Sequence, residues 1–172
     1  FRVILRPHPQ SFVSEPELME QLAQELSSFD NVQWDRHPDG FASLSRALLM
    51  VSDLSGVIFD FAFVFLRPVV SVGAGPLKDG FEAWEIPHEA WEMSALDTLG
   101  KRILPGDEKT VVDVVRFLLA SGERAREKIL ALREQNVVNF GDAGMPIAKA
   151  LVAEVERLKT QSTRKAQTKK EP

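Results

Sequence analysis

The chain of 172 residues contains no cysteine. That removes disulfides, thiolate metal sites and thiol nucleophiles together, and it fits a reducing compartment. Long apolar runs are missing too: the densest, Val57 to Leu66, is about half the length of a membrane-spanning helix and carries Asp60. Positive charge is not in excess. A net charge of −4 gives no broad basic field for phosphate backbones, so no nucleic acid partner is expected. There is no Walker loop, zinc-ligand spacing or nucleophile triad. The three histidines lie in separate loops, a spacing that by itself makes no metal site, and no metal is expected. No signal peptide or internal repeat is seen. The chain enters directly on a strand at Phe1 and does not begin at Met, which leads to the expectation of a fragment from a longer protein.

What is present is ordinary globular composition, 44% apolar and 27% charged. The length suits one domain that buries roughly 70% of its unfolded surface. Its organising stretch is Met50 to Val72. Apolar Leu48 to Val51 runs into Ser52-Asp53-Leu54-Ser55-Gly56; an apolar segment with Asp60 follows, and Arg67-Pro68 leads into a β-branched run. Buried strand, polar turn, buried helix and buried strand in that order are the βαβ pattern of a parallel sheet. Ligands of such sheets sit at the carboxyl ends of strands, where a helix N-terminus offers free N–H groups to an anion. Ser52 to Gly56 forms that corner.

The remaining elements follow from periodicity and punctuation. Arg2 to Leu5 reads as a buried strand ending in Arg6-Pro7-His8-Pro9, whose prolines hold His8 on a stiff loop. Ser14 is the expected N-cap of a helix with Pro16 in its first turn and Leu18, Leu22 and Leu26 inward. Val32-Gln33-Trp34 is a short strand, Arg36 to Gly40 a turn, and Phe41 to Ala47 a short helix. Gly73-Ala74-Gly75-Pro76 is a glycine-rich exit loop that lacks the third glycine of a dinucleotide fingerprint. Leu77 to Gly100 fits a flap, a partner-facing segment or plain packing over the sheet edge. Arg102 to Leu104 is a last strand. Helices are expected from Pro105 to Ser121-Gly122, over Glu123 to Gln135, and from Ala143 or Gly144 to Leu158, the last burying Ile147, Leu151, Val152 and Val155. Residues 1–159 then form one domain, and 160–172 a disordered basic tail whose Arg164, Lys165, Lys169 and Lys170 could touch an anionic membrane surface.

RPHP after a strand, SDLSGVIFDFA followed by RPVV, and NFGDAGMPIAKALV before a closing helix together resemble the C-terminal half of the CDP-glycerol:poly(glycerophosphate) glycerophosphotransferases, the teichoic acid polymerases and primases. The resemblance covers residues 2–76 well and 137–155 more loosely. It implies a Rossmann-like three-layer α/β/α domain with a mainly parallel sheet, the C-terminal half of a glycosyltransferase-B (GT-B) fold, with a closing C-terminal helix. His8 matches the family's RPHP histidine near the donor diphosphate, Ser55 the first of two adjacent serines, and Asp60 the acid on the following helix. Gly56 stands where the family has its second serine, and Leu54 where it has tyrosine.

The implied function is the donor-nucleotide half of a cytoplasmic transferase, peripheral at the inner face of the cell membrane, acting in teichoic acid-like polymer synthesis. CDP-glycerol is the implied donor and an N-terminal acceptor domain the implied partner. Ser55, the Gly56 N–H, Ser52 and Arg6 would bind the donor phosphates, while His8, if protonated by them, would act as a mobile positive donor. Asp60 would accept from a ribose hydroxyl, or else sit in a salt bridge amid the surrounding phenylalanines. The base that activates the acceptor belongs to the N-terminal half, so the isolated fragment is expected to bind without turnover. Two alternatives stay open. One is a UDP-sugar transferase or a domain like the UDP-N-acetylglucosamine 2-epimerases, whose glycine-aspartate turn Asn139 to Asp142 resembles. The other is a degenerate Rossmann-like interaction module without catalysis.

Overall fold

The computed structural model describes residues 1–73 and 90–168. It is a mixed α/β chain built on parallel sheets, with helices between the strands. Two compact units divide it, Phe1–Leu132 and Arg133–Pro172, whereas the sequence places its boundary at 159/160. No helix among the described residues is long and apolar enough to cross a membrane.

The first unit opens with β1 (Val3–Leu5), followed by the short α1 (Ser11–Ser14), α2 (Pro16–Leu26) and β2 (Val32–Trp34). β1 and β2 pair in parallel, Val3 opposite Val32 and Leu5 opposite Trp34. Ser14 does not cap α2 as its residue type suggests. It ends α1 instead, with its hydroxyl donating back to the Gln10 carbonyl, and Pro16 takes the first turn of α2 behind Glu15. The Pro7–Pro9 segment allows a helical turn to start early, at Ser11, so the serine is already inside a turn where a cap is expected.

The chain continues through α3 (Phe41–Arg46), β3 (Met50–Ser52), α4 (Val57–Phe65), β4 (Val69–Val72), α5 (Trp91–Leu99) and β5 (Gly100–Ile103). β3, β4 and β5 form a separate parallel sheet with β4 in the middle. A single continuous sheet is the sequence expectation; among the described residues the strands form two. Central β4 has Val69, Val70 and Ser71 all buried in succession, so both of its faces are covered. On one face Val70 and Ile103 pack with Leu118 of α6 (Val111–Asn136), joined by Val111, Val114 and Val115. α5 packs on β4 and β5 through buried Met93, Leu96 and Leu99. Residues 91–99 therefore pack over the sheet, and the rest of the stretch before residue 90 lies outside the described residues.

α4 is apolar nearly all round, and Ile58, Phe61 and Ala62 are completely buried. It stops where Leu66 takes a left-handed conformation (φ 52°) and Pro68 bars continuation. Arg67, between them, donates through Nη1 to the Ser45 and Ala47 carbonyls and lies over the Phe65 ring, which ties the end of α3 to the start of β4. Glycine at 122, with φ 38° and ψ −112°, breaks α6 where the sequence expects one helix to end and another to begin.

The second unit contains the end of α6, a turn with left-handed Asn139 and Gly141, and α7 (Gly144–Thr168). Arg133 stacks on Phe140 across that turn. α7 continues to Thr168, past the Leu158 end expected from its apolar pattern, because no glycine or proline interrupts residues 159–168. Ile147, Leu151, Val152 and Val155, expected to be buried, are exposed.

Candidate functional site

β1 and β3 end on one cleft of about 630 Å³. Arg6 to Pro9 line it from the end of β1, and Ser52, Asp53, Ser55 and Val57 from the end of β3 and the start of α4. Pro38 to Phe41, Ser43 and Leu44 form a third wall at the start of α3, and Ile4, Leu5, Leu49, Met50 and Val51 make an apolar floor. The carboxyl ends of parallel strands thus meet a helix N-terminus at one place, the arrangement that suits an anionic ligand.

Each expected residue has a definite position. Ser52 and Ser55 lie on the cleft, with Ser52 Oγ 3.4 Å from Asp53 Oδ1. Gly56 is the N-cap of α4, in helical conformation and without a side-chain cap. The first helical bonds run from Ile58 N–H to the Ser55 carbonyl and from Phe59 N–H to the Gly56 carbonyl. The main-chain donors preceding them therefore remain at the helix mouth for water or a ligand.

His8 faces the same cleft from β1. Its Nδ1 accepts a hydrogen bond from the Gln10 N–H at 3.1 Å, so the ring carries its proton on Nε2 and offers that N–H as donor. Asp60 is exposed on α4 and is not among the residues lining the cleft. The phenylalanines of α4 turn inward around it, so it needs no partner of the kind expected for a carboxylate buried among them.

Arg6 is held in the cleft wall. Its Nη1 lies 2.7 Å from Asp35 Oδ2 and its Nη2 donates to the Pro38 carbonyl at 3.1 Å. Asp35 also accepts from the Ser43 hydroxyl and the His37 N–H. These donors, the Ser43 hydroxyl first, hold its carboxyl at about 2, below the ordinary 3.8, against the opposing effect of burial. One carboxylate thereby joins the ends of β1 and β2, the 36–40 loop and α3.

Sequence reasoning missed Asp35, together with Asp39 and Asp53 on the cleft. A signal for Asp35 exists: Arg6 directly follows β1 and Asp35 directly follows β2, so the register of two paired strands brings them side by side. His37 turns back on its own loop, with Nδ1 accepting from the Asp39 N–H. Among the described residues no three histidine, aspartate or glutamate side chains come together as a metal-ligand group. Gly73 closes β4 with φ 124°, and the remainder of the glycine-rich loop, 74–76, lies outside the described residues.

Comparison of the chain with family models, curated proteins and solved structures finds no match. The fold and the cleft define the class, an α/β domain with parallel sheets and a polar site at its strand ends.

Proposed function

We propose that the chain is the donor-nucleotide-binding half of a CDP-glycerol-type glycerophosphotransferase of GT-B architecture, acting in teichoic acid-like polymer synthesis. The observation that carries this reading is the single cleft that brings His8, from the end of β1, together with Ser52, Ser55 and the open first turn of α4.

A nucleotide leaving group gains negative charge on its phosphates as the bond to the transferred group breaks. His8 Nε2–H, Ser55 Oγ and the main-chain donors at the α4 mouth supply neutral hydrogen-bond donors from two sides. Arg6, committed to Asp35, contributes by fixing the loop wall and not as a free cation. The acceptor base belongs to an N-terminal partner domain, so this chain binds donor without turnover. The parent enzyme works in the cytoplasm at the inner face of the membrane.

A second reading, a non-catalytic interaction module on the same fold, is favoured by the Asp39 and Asp53 carboxylates on the cleft, which oppose an anion. Calorimetric titration with CDP, CMP and UDP, with NMR shifts to locate the site, separates the readings. CDP preference with perturbation of Ser52 to Gly56 supports the transferase. UDP preference points to a UDP-sugar enzyme, and no nucleotide binding tighter than millimolar leaves the interaction module.

A further inference from the structure

The third wall of the cleft presents a carboxylate and an aromatic ring side by side. Asp39 precedes Gly40, Phe41 opens α3, and both line the cleft. The Phe41 N–H donates to Asp39 Oδ1 at 2.9 Å, which fixes the carboxylate and leaves Oδ2 without a donor among the described residues. The wall itself is tethered. Arg6 Nη2 donates to the Pro38 carbonyl, His37 Nδ1 accepts from the Asp39 N–H, and a Cβ at Gly40 would stand 3.0 Å from Arg6 Nε, so glycine lets the loop seat on the guanidinium. Oδ2 is therefore an acceptor held in place.

Phe41 is the one phenyl ring on the cleft among the described residues. Its centroid lies 5.7 Å from that of Phe65, which supports it, yet Phe41 remains 60% exposed. An open ring and an oriented polar group one residue apart are the two elements of nucleobase recognition, stacking for the π-face and a hydrogen bond for the edge. A carboxylate only accepts, so it selects a base edge that donates.

We infer that Phe41 and Asp39 form the base subsite of the cleft and that Asp39 selects cytosine over uracil. This rests on the nucleotide reading above and adds to it the group that reads the base. The base lies on Phe41, and the cytosine N4 amino group donates to Asp39 Oδ2. Uracil has a carbonyl at that position, and its N3–H is flanked by two carbonyl oxygens that repel the carboxylate. The phosphates extend toward His8, Ser52 and Ser55, which supply donors, so the Asp39 charge faces the base and not the diphosphate.

Titration calorimetry of the 172-residue chain with CDP and UDP measures the selection. Wild type is expected to bind CDP at least roughly tenfold tighter than UDP, the size of one hydrogen bond to a charged group. Asp39→Asn is the decisive variant: its amide oxygen still accepts from the Phe41 N–H and its NH2 turns outward, so the open acceptor becomes a donor. The CDP-to-UDP ratio should then fall to one or invert, with the thermal transition unchanged. Phe41→Leu should weaken both nucleotides by about tenfold and leave the ratio as in wild type. Equal weakening of CDP and UDP by Asp39→Asn would give the carboxylate to a ribose hydroxyl and overturn the inference, as would undiminished affinity in Phe41→Leu. A wild type that binds neither nucleotide tighter than millimolar sinks the nucleotide reading and this subsite with it. CDP binding with a ratio near one, or with a ratio that Asp39→Asn leaves unchanged, sinks the subsite alone.

Discussion

Arg6 Nη1 donates to Asp35 Oδ2 at 2.7 Å and joins the carboxyl ends of two adjacent parallel strands. The same carboxylate accepts from Ser43 and from the His37 main chain, so the wall of the cleft depends on its charge. Its folded pKa is about 2 against 3.8 for the ordinary group. A depressed pKa contributes stability that is present above the unfolded value and is lost as pH falls through the folded one. After discounting for the partly exposed Arg6, that contribution is about 1 to 2 kcal/mol. Urea midpoints measured from pH 6 to pH 2 are expected to fall less steeply below pH 4 for Asp35→Asn than for the wild type, from a lower starting stability. Parallel curves would remove Asp35 from this role.

Gly100 opposes Val69 across the β4–β5 ladder, and a Cβ at Gly100 would stand 1.8 Å from the Val69 carbonyl oxygen. The conflict is with main chain at the centre of the sheet, so no side chain can rotate away. Gly100→Ala is expected to cost about 2 to 4 kcal/mol, within the range for strained or overpacked core positions. Differential scanning calorimetry is the measurement, and an unchanged transition temperature would mean that the strands stand further apart than this.

Arg67 supplies a single Nη1 to two carbonyls, those of Ser45 and Ala47, at the end of α3. Lysine keeps the charge but loses the planar guanidinium that lies over Phe65. Arg67→Lys should destabilise by about 1 kcal/mol, and Arg67→Ala by about 2, because two partly buried acceptors lose their donor. Chemical denaturation of the two variants checks the order; a lysine variant as stable as wild type would show that charge alone suffices.

The strands Val32–Trp34 and Val69–Val72 and the break at Gly122 were legible in the sequence because β-branched runs and a glycine between periodic segments are local signals. β3 lies a residue or two later than its apolar run, because Met50 begins pairing only where Pro68 offers its carbonyl. Pairing partners are not written in a strand's own residues, so the division into two sheets was not legible. His8, Ser52 and Ser55 could be placed from strand-end grammar alone. Asp35 needed one thing more, the pairing of β1 with β2, since its role comes from a neighbour 29 residues away. The exposed face of α7 was misjudged for a related reason: an amphipathic pattern says which face seeks cover, not what provides it.

Gly56 offers a sharper test of the phosphate reading than any deletion. It sits at the N-cap of α4 with φ −57°, a conformation any residue adopts, and a Cβ there would meet nothing within 4 Å. Serine therefore fits without strain, and its hydroxyl would join Ser55 at the helix mouth. At a solvent-facing cap the change in stability should be small, a few tenths of a kcal/mol in the favourable direction. A hydroxyl that donates to a phosphate oxygen contributes about 1 kcal/mol or slightly more, so CDP should bind roughly five- to tenfold tighter to Gly56→Ser. Ser55→Ala should shift affinity the other way by a similar factor, and the pair of changes distinguishes phosphate contact from general helix stabilisation. If Gly56→Ser raises the thermal transition while CDP affinity stays constant, the hydroxyl caps the helix alone and the phosphates are bound elsewhere.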